Sequence, residues 1–192
     1  MTWDDDEYYD VSFGINKSRR YHAMLRDFYQ GAYNWTIGTN AVAGSSAFVA
    51  VLGSQAVVAA VLSGFFAIAS VLEAIFRYET KARHHQDLCR RFTMLAAKLE
   101  RLPATPENLE KARAERLKIE AKETATKRCV ELMARNEEAR ARGVPEAKLY
   151  QLSWMQCHIG YVWGPWGVAR VAREKAAREE AERLAQQQLT AG

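Results

Sequence analysis

The chain is short of the residues that staple, break or bend small domains. Its 192 residues include 3 cysteines and 4 prolines. Cys89, Cys129 and Cys157 lie far apart, give no disulfide framework, and suit a reducing compartment rather than a stapled secreted domain. With 11 glycines the chain is neither collagenous nor Pro-rich, although its last 25 residues are compositionally biased. Catalytic signatures are missing as well. There is no Gly-rich phosphate loop, no G-x-G-x-x-G, no G-x-S-x-G and no H-E-x-x-H, so nothing supports an enzyme or a bound cofactor. The most informative absence is of charge. From Phe28 to Leu72, 45 consecutive positions hold no Asp, Glu, Lys or Arg in a chain that is 26% charged. Scattered charges would leave such a gap with a probability on the order of one in a million.

What fills the gap is apolar. Val57 to Phe76 reads VVAAVLSGFFAIASVLEAIF, with one charge near its end. About 20 apolar residues, each rising about 1.5 Å along a helix, cross a bilayer core about 30 Å thick. Thr36 to Leu52 is a second candidate span, and Gly53, Ser54 and Gln55 between them have turn chemistry. The block therefore predicts a helical hairpin in the membrane, about 36–52 and 56–76. A signal peptide fits poorly, because the apolar run starts late and follows Asp4, Asp5, Asp6 and Glu7.

The two spans differ. At about 100° per residue, Thr36, Thr39, Asn40, Ala43, Ser46, Ala47 and Ala50 fall on one face of span one, with Ile37, Phe48, Val49 and Leu52 largely opposite. Span two carries Ala56, Ala60 and Gly64 at four-residue spacing, a pattern that lets helices approach closely in lipid. Two readings stay open. Either the polar side of span one packs on this small seam, or several copies turn Thr36, Thr39, Asn40, Ser46 and Ala47 inward to line a water-filled path.

The flanks set an orientation. Lys17, Arg19, Arg20 and Arg26 precede the hairpin, Arg77, Lys81, Arg83, Arg90 and Arg91 follow it, and the turn has no charge. Both termini are expected in the cytoplasm. Tyr33 and Trp35 at the start and Tyr78 at the exit are expected at headgroup depth, and Glu73 is expected to pair with Arg77 one turn on.

The rest reads as an all-α cytoplasmic part. Residues 1–34 form a juxtamembrane helix, expected from about Asn16; 35–77 the hairpin; 78–166 a helical region; and 167–192 a charged, solvated helical tail. Leu88, Phe92, Leu95 and Leu99 make a 4, 3, 4 stripe on a helix that continues span two without a breaker and stops at Pro103. Thr105, Pro106 and Glu107 are a helix start. Beyond it Leu109, Leu117, Val130, Leu132 and Met133 are candidate inward positions of an antiparallel bundle, with a possible interruption near Thr124 to Thr126. The segment Leu149 to Trp166 gathers Trp154, Trp163 and Trp166. It fits a membrane-interface position or a plug of the bundle equally well.

His85 and Cys89 share a helix face, but two ligands do not make a metal site, so none is expected. The net charge of +4 comes from residues that orientation and anionic lipid already explain, so nucleic acid is not an expected partner.

A family resemblance rests on Ser18-Arg19-Arg20-Tyr21-His22, then Arg26, Phe28 and Tyr29, two coupled membrane helices, Lys81-Ala82-Arg83-His84-His85, and Leu88, Arg90, Arg91 and Phe92. Ile119-Glu120-Ala121 and Asn136-Glu137 extend it. In these the chain resembles the bacterial SLATT proteins, a two-transmembrane family, over about Ser18 to Arg142. The resemblance implies an oligomeric, pore-forming effector of bacterial conflict systems in the inner membrane, working beside a nucleotide-signal synthase or sensor. No attached sensor, synthase or peptidase is recognisable, so any trigger is expected from a separate partner or from the bundle itself. A non-conducting anchored scaffold, a phage-derived holin-like role, and a soluble bundle with Val57 to Phe76 at its centre are the alternatives.

Overall fold

The computed structural model describes residues 3–53, 55–123, 126–161, 171, 173–177 and 180. Every regular element among them is helical. In order these are α1 (Trp3–Leu52), α2 (Ala56–Phe76), α3 (Tyr78–Arg101), α4 (Pro106–Glu120), α5 (Arg128–Ala141), a 3-10 turn (Glu146–Lys148) and α6 (Trp154–Ile159). Trp163, Trp166, Thr124 and most of the tail lie outside the described residues.

Two expectations about the helices change. The first helix starts at Trp3, well before Asn16, and runs without interruption to Leu52. The apolar helix α2 does not continue smoothly into α3. Arg77 separates α2 from α3 in the left-handed conformation, at φ 50° and ψ 51°. Further on, the stop before Pro103 and the start at Thr105 are in place. The Thr105 hydroxyl accepts from the Asn108 amide, and Pro106 occupies the first turn, where its missing N–H costs nothing.

The chain divides into two compact units, residues 1–24 with 87–192, and residues 25–86. The first has a conventional core. Val11 and Ile15 of α1, Leu88, Phe92, Leu95, Ala96 and Leu99 of α3, and Leu109, Ala112 and Ile119 of α4 form one buried cluster. The α3 stripe is the sequence stripe, because positions four, three and four apart stay on one side of a helix. Leu117 is a correction, since it is exposed. It sits about 130° around α4 from the face shared by Leu109, Ala112 and Ile119, so the smaller Ala112 takes the inward place. Val130 is buried, while Leu132 and Met133 are half-buried.

Charge organises the edge of this unit. The Glu138 side chain is only 5% exposed and accepts from Arg20 Nε at 2.8 Å and Arg142 Nε at 2.7 Å. Arg142 also donates to Ser12 Oγ and stacks over Tyr9. His22 is fully buried, lies 2.9 Å from a Glu123 carboxylate oxygen, and stacks on Phe92. The Tyr21 hydroxyl accepts from the Lys127 amide, and the Asn136 amide both donates to and accepts from the Tyr150 backbone. Several residues that carry the family resemblance therefore have packing work inside this unit. In the tail, Val171 is buried and Lys175 Nζ lies 4.1 Å from the Tyr150 ring centre, so at least these residues pack rather than float free.

Candidate functional site

The second unit, residues 25–86, reverses the usual burial rule. Val42, Phe48, Val49, Val57, Val61 and Ile75 are all exposed, and so are the other large residues of α2 except the half-buried Leu62. Over residues 36–76 the residues turned inward are small or polar: Thr36, Ala43, Ala59 and Ala69 are buried. One helix, counted through α2 and α3 as Ala56–Arg101, is long and apolar enough to cross a membrane, and only 11% of its most apolar window is buried. The second half of α1, residues 35–52, is also uncharged but less apolar than α2, because Thr36, Thr39, Asn40 and two serines dilute it.

Within the unit, α1 and α2 meet through polar atoms. Asn40 Nδ2 donates to Ser70 Oγ across the pair at 3.5 Å, while Asn40 Oδ1 is buried with no partner. A groove of about 240 Å³ between the helices is lined by Thr36, Trp35, Phe65, Ala69 and Leu72 among others. Thr36 is only 5% exposed, and its hydroxyl donates to the Ala32 carbonyl of its own helix at 2.9 Å. It is thus a seam residue in the single chain. Thr39, Asn40 and Ser46 are half-buried at the edge of the seam, and the Ala47 side chain lies outside the described residues. The small stripe of α2 lies on its outer side in the single chain. Ala56, Ala60 and Gly64 are exposed, and nothing lies within 4 Å of where a Gly64 side chain would start. Ala59, Ala69 and Ser70 face inward instead, a small rotation of α2 that brings the two hydrogen-bonding polar groups together.

At the end of the unit away from the turn, rings replace aliphatic contacts. Trp35 is exposed, while Tyr33 and Tyr78 are half-buried. Tyr29 is buried, stacks on His85 at 5.6 Å and on Tyr78 at 6.5 Å, and Tyr78 stacks on Phe76 at 5.5 Å. Lys81 Nζ lies over the Tyr29 and Phe76 rings at 5.5 and 5.8 Å. Burial pushes the Tyr29 phenol above its ordinary value, and the neighbouring Tyr78 adds to it. Tyr78 is raised first by burial and then by the Glu73 carboxylate. Glu73 does not pair with Arg77, contrary to expectation. The left-handed turn at Arg77 takes its side chain off the helical path, and Glu73 Oε2 is left buried with no partner.

Ser70 is the functional-site residue that reading the sequence passed over. Its signal was present, because positions 40 and 70 lie almost equally far from the Gly53 to Gln55 turn and are both polar in an apolar block. The buried stack of Tyr29 on His85 had no such signal. Outside this unit, Trp154 is 74% exposed and stacks on His158 within α6. Groups of three or more possible metal ligands are absent among the described residues. Comparison of the chain with protein-family models, with curated proteins and with solved structures finds no match.

Proposed function

We propose that the chain is a two-span protein of the bacterial inner membrane, with both termini cytoplasmic, that assembles with copies of itself and perturbs or conducts across the bilayer when triggered. The observation that carries this is the inverted burial of residues 36–76, where large apolar side chains face out and small or polar ones face in. In water that surface is a severe liability; in lipid it is the expected arrangement.

Topology supports the second span. Residues 1–24 and 87–192 form one compact unit. If α2 crosses the membrane, the chain must cross once more for both parts to be on one side, and the second half of α1 is the segment available. The exposed Ala56, Ala60 and Gly64 supply a small surface for a neighbouring copy. Thr39, Asn40 and Ser46, at the edge of the seam, are the positions an assembly has left to line a path. The likeness to SLATT proteins adds the effector role and a separate signal-producing or sensing partner.

Purified protein in liposomes is expected to pass ions, and Asn40→Leu is expected to lower the flux. An unchanged flux in that variant removes the assigned face, and no flux under any trigger removes conduction. A second reading, a non-conducting anchor that presents a docking platform, is favoured by the exposed Trp154, Met155 and Ile159 of α6. Replacing the hairpin by an unrelated anchor separates the two, because only a platform keeps its activity. Carbonate extraction tests the membrane reading itself, since a wholly soluble chain ends it.

A further inference from the structure

Four observations converge on the joint between α2 and α3. Arg77 is the sole non-glycine with positive φ among the described residues, a conformation that strains an L side chain. The helical ladder nevertheless runs on through it: the Arg77 amide donates to the Glu73 carbonyl at 2.8 Å, and the Lys81 amide donates to the Arg77 carbonyl at 3.1 Å. Rotation of one residue is thus enough to join α2 and α3 into one helix. In that helix Glu73 and Arg77 become an i, i+4 pair in the favourable order. The buried Glu73 oxygen, now without a partner, then gains one, and the exposed Arg77 supplies it.

What opposes rotation is the ring set. Phe76 and Tyr78 stack with 13° between their planes. Residues two apart on an unbroken helix point about 200° apart and do not face each other, so this stack exists only because the chain breaks between them. Tyr78 continues the stack onto Tyr29, and Lys81 caps the Tyr29 and Phe76 rings. Each arrangement leaves unsatisfied what the other satisfies.

We infer that Arg77 is a two-setting hinge: left-handed with Phe76 on Tyr78, or right-handed with its guanidinium on Glu73. The hinge lies where the apolar helix ends and the charged one begins, and it does not depend on conduction. A contact that occupies the rings or the guanidinium in one setting shifts the balance by its differential affinity.

Spin labels introduced as genetically encoded residues at the exposed positions 67 and 86 report the setting in the full chain in liposomes. They stand 19 residues apart, about 28 Å along an unbroken helix and less across the break. Arg77→Gly removes the left-handed penalty and is expected to enrich the shorter distance about fivefold or more relative to the longer. Tyr78→Leu removes the stack and is expected to enrich the longer one. Glu73→Gln removes the pair and is expected to deplete the longer one about twofold. Glu73→Gln and Arg77→Gly change no residue of the buried apolar core. One distance distribution shared by all four proteins overturns the hinge, as does any shift opposite in sign to these.

Discussion

Phe92 and Val61 are both apolar residues on regular helices, yet Phe92 is 0% exposed and Val61 66% exposed. The contrast repeats throughout the two units. In the unit of residues 1–24 and 87–192, aliphatic side chains fill the centre and the buried charge Glu138 is held by two arginines. Over residues 36–76 of the second unit, valines and phenylalanines cover the outside, and the inside holds alanines, a threonine and an amide-to-hydroxyl bond. A water-excluded centre is what folding in water selects. In lipid there is no gain from hiding a leucine, and helices come together through small residues and polar bonds. On the two-span reading, one chain therefore follows two solvents.

The largest test breaks the first half of that contrast. Glu138→Ala leaves Arg20 and Arg142 facing a site without its carboxylate, and is expected to cost about 3 kcal/mol in chemical unfolding of that unit. The next test compares like with like. Val61 and Met94 are 66% and 60% exposed. Val61→Asp is expected to cost about 2.5 to 3.5 kcal/mol of insertion, read as loss from the carbonate-resistant fraction. Met94→Asp, on the exposed side of α3, is expected to stay within about 0.5 kcal/mol. Equal effects in the two variants end the two-solvent account.

A smaller effect belongs to the seam. Asn40→Ala removes the bond to Ser70 and is expected to cost about 0.6 kcal/mol, measured by steric trapping of the hairpin in micelles. The smallest is seen in alkali. The Tyr29 and Tyr78 phenols are raised above 10.0 in the fold, so the folded state keeps protons that the unfolded chain gives up. That stability is complete below pH 10 and is lost as pH rises from about 10 through the folded values. Tyr29→Phe is expected to flatten this alkaline decline, and an identical decline in the variant shows that Tyr29 does not contribute.

The elements legible in the sequence were those with local signals. The α3 stripe, the Thr105 cap and the apolar run of α2 each depend on spacing or on one residue's chemistry. The break at Arg77 was not legible, because neither glycine nor proline marks it. A ring stack from separate helices holds an arginine where its own preference would not place it. The rotation of α2 was equally hidden. Ala56, Ala60 and Gly64 form as regular a small stripe as Ala59 and Ala69, and only the Asn40 to Ser70 contact selects between them. Thr36 was assigned to the correct face of α1, but a face does not say whether its neighbour is water or helix.

The division of the first unit has a consequence in time. Its N-terminal 24 residues pack Val11 and Ile15 on α3 and α4, yet 62 residues of the other unit, 25–86, are made in between. At about 5 to 20 residues per second, several seconds separate the two halves of that core on the ribosome. On the two-span reading, the hairpin is then ready to insert before that core can close, and membrane entry becomes a checkpoint on the maturation of the part in water.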